Sequence, residues 1–235
     1  IWYALCKAGI WNSYVLPSPV KVFDTMIQML RDGELIKNIG ISLRRIIIGF
    51  SISFAAAVIF GLCSVFFPKA RPYWDHALNV LRHIPPLAMV PLLILWFGIG
   101  ETPKITDIFL SAFFPMLFNT NAGLAGCDKK LIEVGYTLGM DKKKIFFRIM
   151  VPNAVPDILV GMRLGLGDSI RAIVGAEMIA ASSGLGYLIL DARDMSRTDK
   201  VIVGMIFIGL IGLVFDALFR LAINKASHGR RSIEG

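Results

Sequence analysis

Four ionisable residues, Arg163, Asp168, Arg171 and Glu177, crowd into one otherwise apolar stretch of the chain. At bilayer depth each charge costs about 2.5–3.5 kcal/mol on insertion scales, so each needs a partner or water. Asp168 and Arg171 stand three apart and pair most simply with each other on one helix face. Arg163 reads as structural, near the inner end of its span. Glu177 has no basic residue within a turn and precedes the Gly/Ser-rich run AASSGLG. It is a candidate to line a route or brace a gate, and Arg171 is kept beside it as a candidate pathway residue. Asn119 and Asn121 lie in an uncharged run and need hydrogen-bond partners, either along a pathway or from another helix. Arg44 and Arg45 either attract an anion or snorkel to the interface. Polar groups scattered through apolar sequence suit passage of an ion or solute, with no bond made or broken.

Catalytic chemistry finds no support. Ser182-Ser183 has no His beside it, and no loop holds a nucleophile with a base. His76 and His83 have no third ligand, and Cys6, Cys63 and Cys127 form no CxxC, so neither a metal site nor a disulfide framework is expected. A phosphate loop of the form GxxxxGK[ST] is missing, which means that any ATP driving transport is hydrolysed by a partner.

The elements that must carry these residues follow from composition. Of 235 residues 55% are hydrophobic and 18% charged, and the mean hydropathy is +0.66, too apolar for a water-soluble or a disordered chain. The net charge of +8 does not mark nucleic-acid binding, because the basic residues sit in short loops between apolar runs. A spanning helix needs about 20 apolar residues. Runs at 46–68, 84–100 and 108–127 carry no charge, 201–219 carries only Asp216, and the more polar 153–181 must cross for the topology to close. Residues 1–16 read as the end of an apolar segment that begins upstream of Ile1. The expectation is an all-α, polytopic membrane protein of about six transmembrane helices, the first truncated at its N-terminus. Loops on one face hold thirteen Lys and Arg against seven on the other, which puts the basic loops and both chain ends in the cytoplasm. Segment 19–32 turns Val22, Met26, Met29 and Leu30 to one side and reads as an outer interfacial helix. Gly161 and Gly165 form a GxxxG, expected to bring two helices close.

The longest inner loop, about 128–152, is too patterned for a linker. Leu131, Val134, Leu138 and Ile145 recur at helical spacing, Gly135 and Gly139 mark a turn, and Pro152 is expected to close the loop before the next span. Glu133 is expected to cap a helix or meet a nearby basic residue. Glu133-Val134-Gly135, three residues, Gly139, nine residues and Ile149-Met150-Val151-Pro152 resemble the EAA signature of ATP-binding-cassette importer permeases, with Val134, Gly135 and Val151 as apolar or small departures from it. The strings LPSP (16–19), RHIPPLAMVPLLILWFGIGE (82–101), FFPMLFNT (113–120) and GAEMIAASSGLGYLI (175–189) are similar to the nitrate, sulfonate, taurine and thiamine-precursor group of these permeases.

The resemblance implies one transmembrane permease domain over 1–235. It also implies a second permease copy, two cytoplasmic ATP-binding-cassette ATPases that bind the ATP and Mg, an external solute-binding protein and a place in the bacterial inner membrane. By the same resemblance Glu133, Val134, Gly135, Thr137, Leu138, Gly139 and Met140 couple the permease to its ATPase. The chain itself is then no enzyme and holds no cofactor, and its solute is small and anionic. The competing class is an ion-coupled carrier or channel that uses Asp168 and Glu177 as ion sites.

Overall fold

In lipid every backbone N–H and C=O must be satisfied within the protein, and a helix does this within one segment. The computed structural model describes residues 2–7, 12, 14–69 and 71–231. Among them it is all-helical, 85% helix without a strand. In chain order the helices are α1 (Trp2–Lys7), α2 (Pro19–Arg31), α3 (Glu34–Phe66), α4 (Arg71–Leu81), α5 (Pro86–Phe97), α6 (Glu101–Ala125), α7 (Lys129–Thr137), α8 (Lys142–Ile145), α9 (Val151–Ala180), α10 (Leu185–Asp194) and α11 (Thr198–Arg231).

Among the described residues four stretches are long and apolar enough to cross a membrane: α3, α6, Lys142–Ala180 and the α11 segment Thr198–Ala226. A fifth crossing exists if α4 and α5, bent by 97° at their break, count as one span. The sixth expected crossing falls on residues 1–16, of which 1, 8–11 and 13 lie outside the described residues, and α1 is only six residues long.

Three boundaries depart from the expectation. First, α3 begins at Glu34, well before the uncharged run at 46, and of its early polar residues Ser42 and Arg45 are buried inside the protein. Second, the apolar run 84–100 yields a 12-residue helix rather than a full span. At 1.5 Å per residue that is roughly 18 Å, short of a bilayer core of about 30 Å. The adjacent prolines explain the break: a residue before proline is driven out of the helical region, which removes Ile84 and Pro85, and Pro86 then starts α5 where its missing N–H costs nothing. Third, Pro152 does not close the preceding loop. α8 runs into α9 through a π-helical turn, Phe146–Met150. In an α-helix the ring of Pro152 would press on the carbonyl of Arg148; the wider turn just ahead of it accommodates the ring without ending the helix.

The chain forms two compact units, each assembled from separate segments, with the division falling part-way along every long helix. One comprises residues 1–48, 87–108 and 170–213. Its core is Val22, Met29, Leu35, Leu185, Leu188 and Val203, and Met26 and Leu30 pack against it, so the apolar side of α2 is the side the sequence indicates. Ser18 caps α2 by accepting the Lys21 N–H, and Gly33, at φ 72°, makes the turn into α3.

The other unit comprises residues 49–86, 109–169 and 214–235. Ala57, Ala112, Phe113, Met116 and Leu117 form one core cluster, with Phe60 edge-on to Phe113 at 5.6 Å. The GxxxG pair lies where α9 crosses α6: a Cβ on Gly161 would stand 2.8 Å from the Asn119 Cβ and 3.1 Å from the Pro115 carbonyl oxygen, and one on Gly165 would stand 3.0 Å from the Ala112 carbonyl oxygen. These are largely backbone contacts that cannot yield by a rotamer change. Gly161→Val is therefore expected to cost about 1–3 kcal/mol by overpacking, read as a lower thermal midpoint of the detergent-solubilised protein.

Candidate functional site

The 128–152 loop folds as a compact hairpin of two helices. Asp128 caps α7 by accepting the Lys130 N–H, and Asp141 caps α8 by accepting the Lys144 N–H. Between them the chain reverses in a Schellman turn: the Gly139 N–H donates to the Tyr136 carbonyl and the Met140 N–H to the Gly135 carbonyl, both at 3.0 Å. Gly139 takes φ 73° and a Cβ there would touch nothing, so this position needs glycine for its backbone angle and not for space. Gly135 is the converse case: it is buried, and a Cβ would come within 2.9 Å of Ile149 and 3.0 Å of Ile145. One side of α7 is thereby seated on the 145–149 turn.

The flank beside it is open. Leu131, Val134 and Leu138 are all exposed, Leu138 by 74%, with Tyr136 and Phe147 also exposed nearby. Spacing had placed Leu131, Val134, Leu138 and Ile145 on a common helical pattern; only Ile145 is buried. Glu133 is exposed in the middle of α7 and does not cap it, because Asp128 occupies that position. Thr137 donates its hydroxyl to the Val134 carbonyl at 2.8 Å, and Met140 is half-buried behind the turn. What this builds is a short, rigid, doubly capped helix with a row of bare aliphatic side chains flanked by Lys129, Lys130 and Lys142–Lys144.

A second constellation, not assembled by sequence reasoning, lies in the unit of residues 1–48, 87–108 and 170–213. Glu177 is fully buried. Its carboxylate accepts from the Ser42 hydroxyl at 2.8 and 2.9 Å, from the Gly186 N–H at 2.9 Å and from Nη1 of Arg45 at 2.8 Å. Arg45 does not snorkel. Its side chain is 4% exposed, and Nε and Nη2 take the two oxygens of Glu101 at 2.7 and 2.6 Å, while Nη1 also donates to the Ser183 carbonyl at 2.8 Å. The loop after α9 is shaped around this cluster. The Leu185 N–H donates to Ser42 and the Gly184 N–H to Asn38, and Gly184, at φ 112°, leaves room that any Cβ would fill by colliding with the Glu177 carboxyl group. So the basic partner of Glu177 is 132 residues away in sequence. The other candidate pathway residues do not join it. Arg171 is exposed on α9.

Asn119 and Asn121 belong to the other unit. The Asn119 amide donates to the Pro115 carbonyl of its own helix at 2.8 Å rather than to a neighbouring helix. Asn121 is buried with its carbonyl oxygen unpaired, beside a cavity of about 180 Å³ lined by Ser64, Val65, Leu124, Ala125 and Met150. Arg163 pairs with Asp216 of α11, which neutralises the one charge in the run 201–219.

The family model of the binding-protein-dependent transport system inner membrane component matches residues 53–228. The chain belongs to this permease family. Across all 235 of its residues it is 38% identical to a protein of Bacillus subtilis named as an aliphatic sulfonates transport permease, covering 85% of that relative. Over 221 residues, 92% of this chain and 80% of the relative, it is 30% identical to the taurine transport system permease protein of Escherichia coli. Among solved structures an amino acid ABC transporter superposes with a TM-score of 0.71 at 15% identity, over 85% of this chain and 98% of the other, which establishes the shared fold. The permease is thus a multi-pass inner-membrane subunit of an ABC importer, grouped by sequence with the sulfonate and taurine permeases. It performs no catalysis, ATP hydrolysis residing in separate chains.

Proposed function

We propose that the permease works as one 1–235 transmembrane domain, paired with a second copy of itself, and that the pair forms the alternating-access pathway for a small anionic solute such as an aliphatic sulfonate or taurine. A solute-binding protein delivers the solute from outside. Two cytoplasmic ATPases, which bind the ATP and Mg, grip the 128–152 loops. Their closure on ATP draws the loops together and turns the cavity outward, and hydrolysis returns it inward. Both chain ends lie in the cytoplasm, in keeping with the distribution of basic loops. Asn119, Asn121, Arg171 and Glu177 are the candidate pathway or gate residues, Glu177 acting through the groups it holds.

The observation that carries this reading is the open aliphatic face of α7. A helix with Leu131, Val134 and Leu138 exposed, locked by the Asp128 cap at one end and a Schellman turn at the other, is costly to present to water and is prearranged for a soluble partner's groove. The anionic solute rests on the names of the relatives. The carrier alternative is disfavoured at Glu177, whose carboxylate is occupied by Arg45, Ser42 and Gly186.

The test is uptake into proteoliposomes holding the permease, its ATPase and its binding protein. Labelled taurine, an aliphatic sulfonate or nitrate should accumulate with ATP and not with a non-hydrolysable analogue. Accumulation driven by an ion gradient without the ATPase would select the carrier instead.

A further inference from the structure

Three segments meet at Arg45: α3, the first turn of α6 and the 181–186 loop. Its two carboxylate partners differ in how they can be given up. Glu177 is fully buried and is held by Ser42 and Gly186 as well, so parting it from Arg45 strands a charge in an apolar interior. The Glu101 side chain is 57% exposed. Once released, its carboxylate is hydrated at once, and the Lys104 ammonium, already 3.4 Å from it, takes over as partner. Both states are balanced: clamped, Glu101 bridges Arg45 and Lys104; released, Arg45 keeps Glu177 and Glu101 keeps Lys104, so no charge loses its counterpart. The chain leading into α6 has open space around it. Gly98 takes φ 75°, a Cβ on Gly98 or Gly100 would meet nothing, and Ile99 between them is exposed.

We propose that the Arg45–Glu101 pair is a releasable clamp of the transport cycle. Arg45, fixed by Glu177, is the positioning residue; Glu101 is the part that lets go, freeing the first turn of α6 from α3 and from the 181–186 loop as the external face opens. This rests on the importer reading above, which puts the α5–α6 connection outside. In the resting transporter the clamp holds that face shut, and because access is coupled to the ATPases it also restrains hydrolysis when no loaded binding protein is present.

The experiment uses the reconstituted permease with its ATPases, measuring hydrolysis with and without loaded binding protein, together with uptake. In Glu101→Gln, basal hydrolysis should rise about tenfold, the equivalent of one charge-assisted contact, and solute moved per ATP should fall. The second readout is salt. Raising monovalent salt from about 0.05 M to about 0.5 M weakens a half-exposed ion pair, so it should raise basal hydrolysis several-fold in the wild type and leave Glu101→Gln unchanged. A purely structural Glu101 predicts a lower thermal midpoint with neither effect. A Glu101→Gln transporter with wild-type basal hydrolysis and wild-type salt response overturns the clamp. A wild-type complex without ATP-driven uptake overturns the importer reading instead, and is recognised before any variant is made.

Discussion

Glu177→Leu is expected to destabilise the permease by about 3–5 kcal/mol, the cost of removing one member of a buried ion pair. Arg45 would keep Glu101 and the Ser183 carbonyl, so its charge is not fully stranded. The larger share comes from the Gly186 N–H and the Ser42 hydroxyl, which point at Glu177 and lose their acceptor in a place that water does not reach. Arg45→Leu should cost a similar amount by leaving the Glu177 carboxylate unpaired. The double variant should lose less than the sum of the two, because neither charge then remains without the other. Denaturation of the detergent-solubilised protein, run as a double-mutant cycle, measures all three. Additive losses would show that Arg45 and Glu177 stabilise the fold independently, contrary to the geometry.

That cluster also shows how far the sequence can be read. The buried side of α3 is written in small and polar residues three or four apart, Ser42, Arg45, Gly49, Ser53, Ala57, Gly61 and Ser64, and it is legible as a stripe. A search for uncharged runs passes over it because each charge is counted as a cost. A neutralising partner on a distant segment leaves no local mark, and so α3 looked shorter than it is and Arg45 looked like a surface residue. Neighbouring Arg44, which is exposed, is the same residue type with the opposite fate, decided only by which side of the helix it occupies.

Features set by nearest neighbours were easier to read. The GxxxG of α9 marks a close crossing, and the glycine at 139 marks a turn, because in each case the residue type answers a constraint within a few ångströms. Pro85-Pro86 carries the break between α4 and α5 in plain sight, since prolines beside an apolar run break or bend a helix. Pro152 misled in the other direction: a proline at a helix start and one inside a helix relieved by a π-helical turn have the same local sequence, and Phe146 opens that turn. It is buried, 5.2 Å from the Phe66 ring.

The 128–152 loop permits a perturbation that separates docking from folding. Leu138 is 74% exposed, so Leu138→Asp removes almost no internal contact and should leave the stability within about 0.5 kcal/mol of wild type, as exposed substitutions do. If α7 seats in a groove of the ATPase, the same change places a carboxylate among desolvated aliphatic contacts. A central interface residue of this kind is worth about 2 kcal/mol or more, so ATPase affinity should fall about thirtyfold, with solute-stimulated hydrolysis and uptake falling alongside it. Gly139→Asp tests the same joint through the backbone. At φ 73° a side chain costs about 1–2 kcal/mol per residue in general, and aspartate tolerates that conformation better than most, so the protein should still insert and fold. The turn would nevertheless shift, and α7 would present its open face at the wrong angle, leaving the permease in the membrane but uncoupled. Normal ATPase capture and normal solute-stimulated hydrolysis in both variants would show that the bare face of α7 is not where the motor is held.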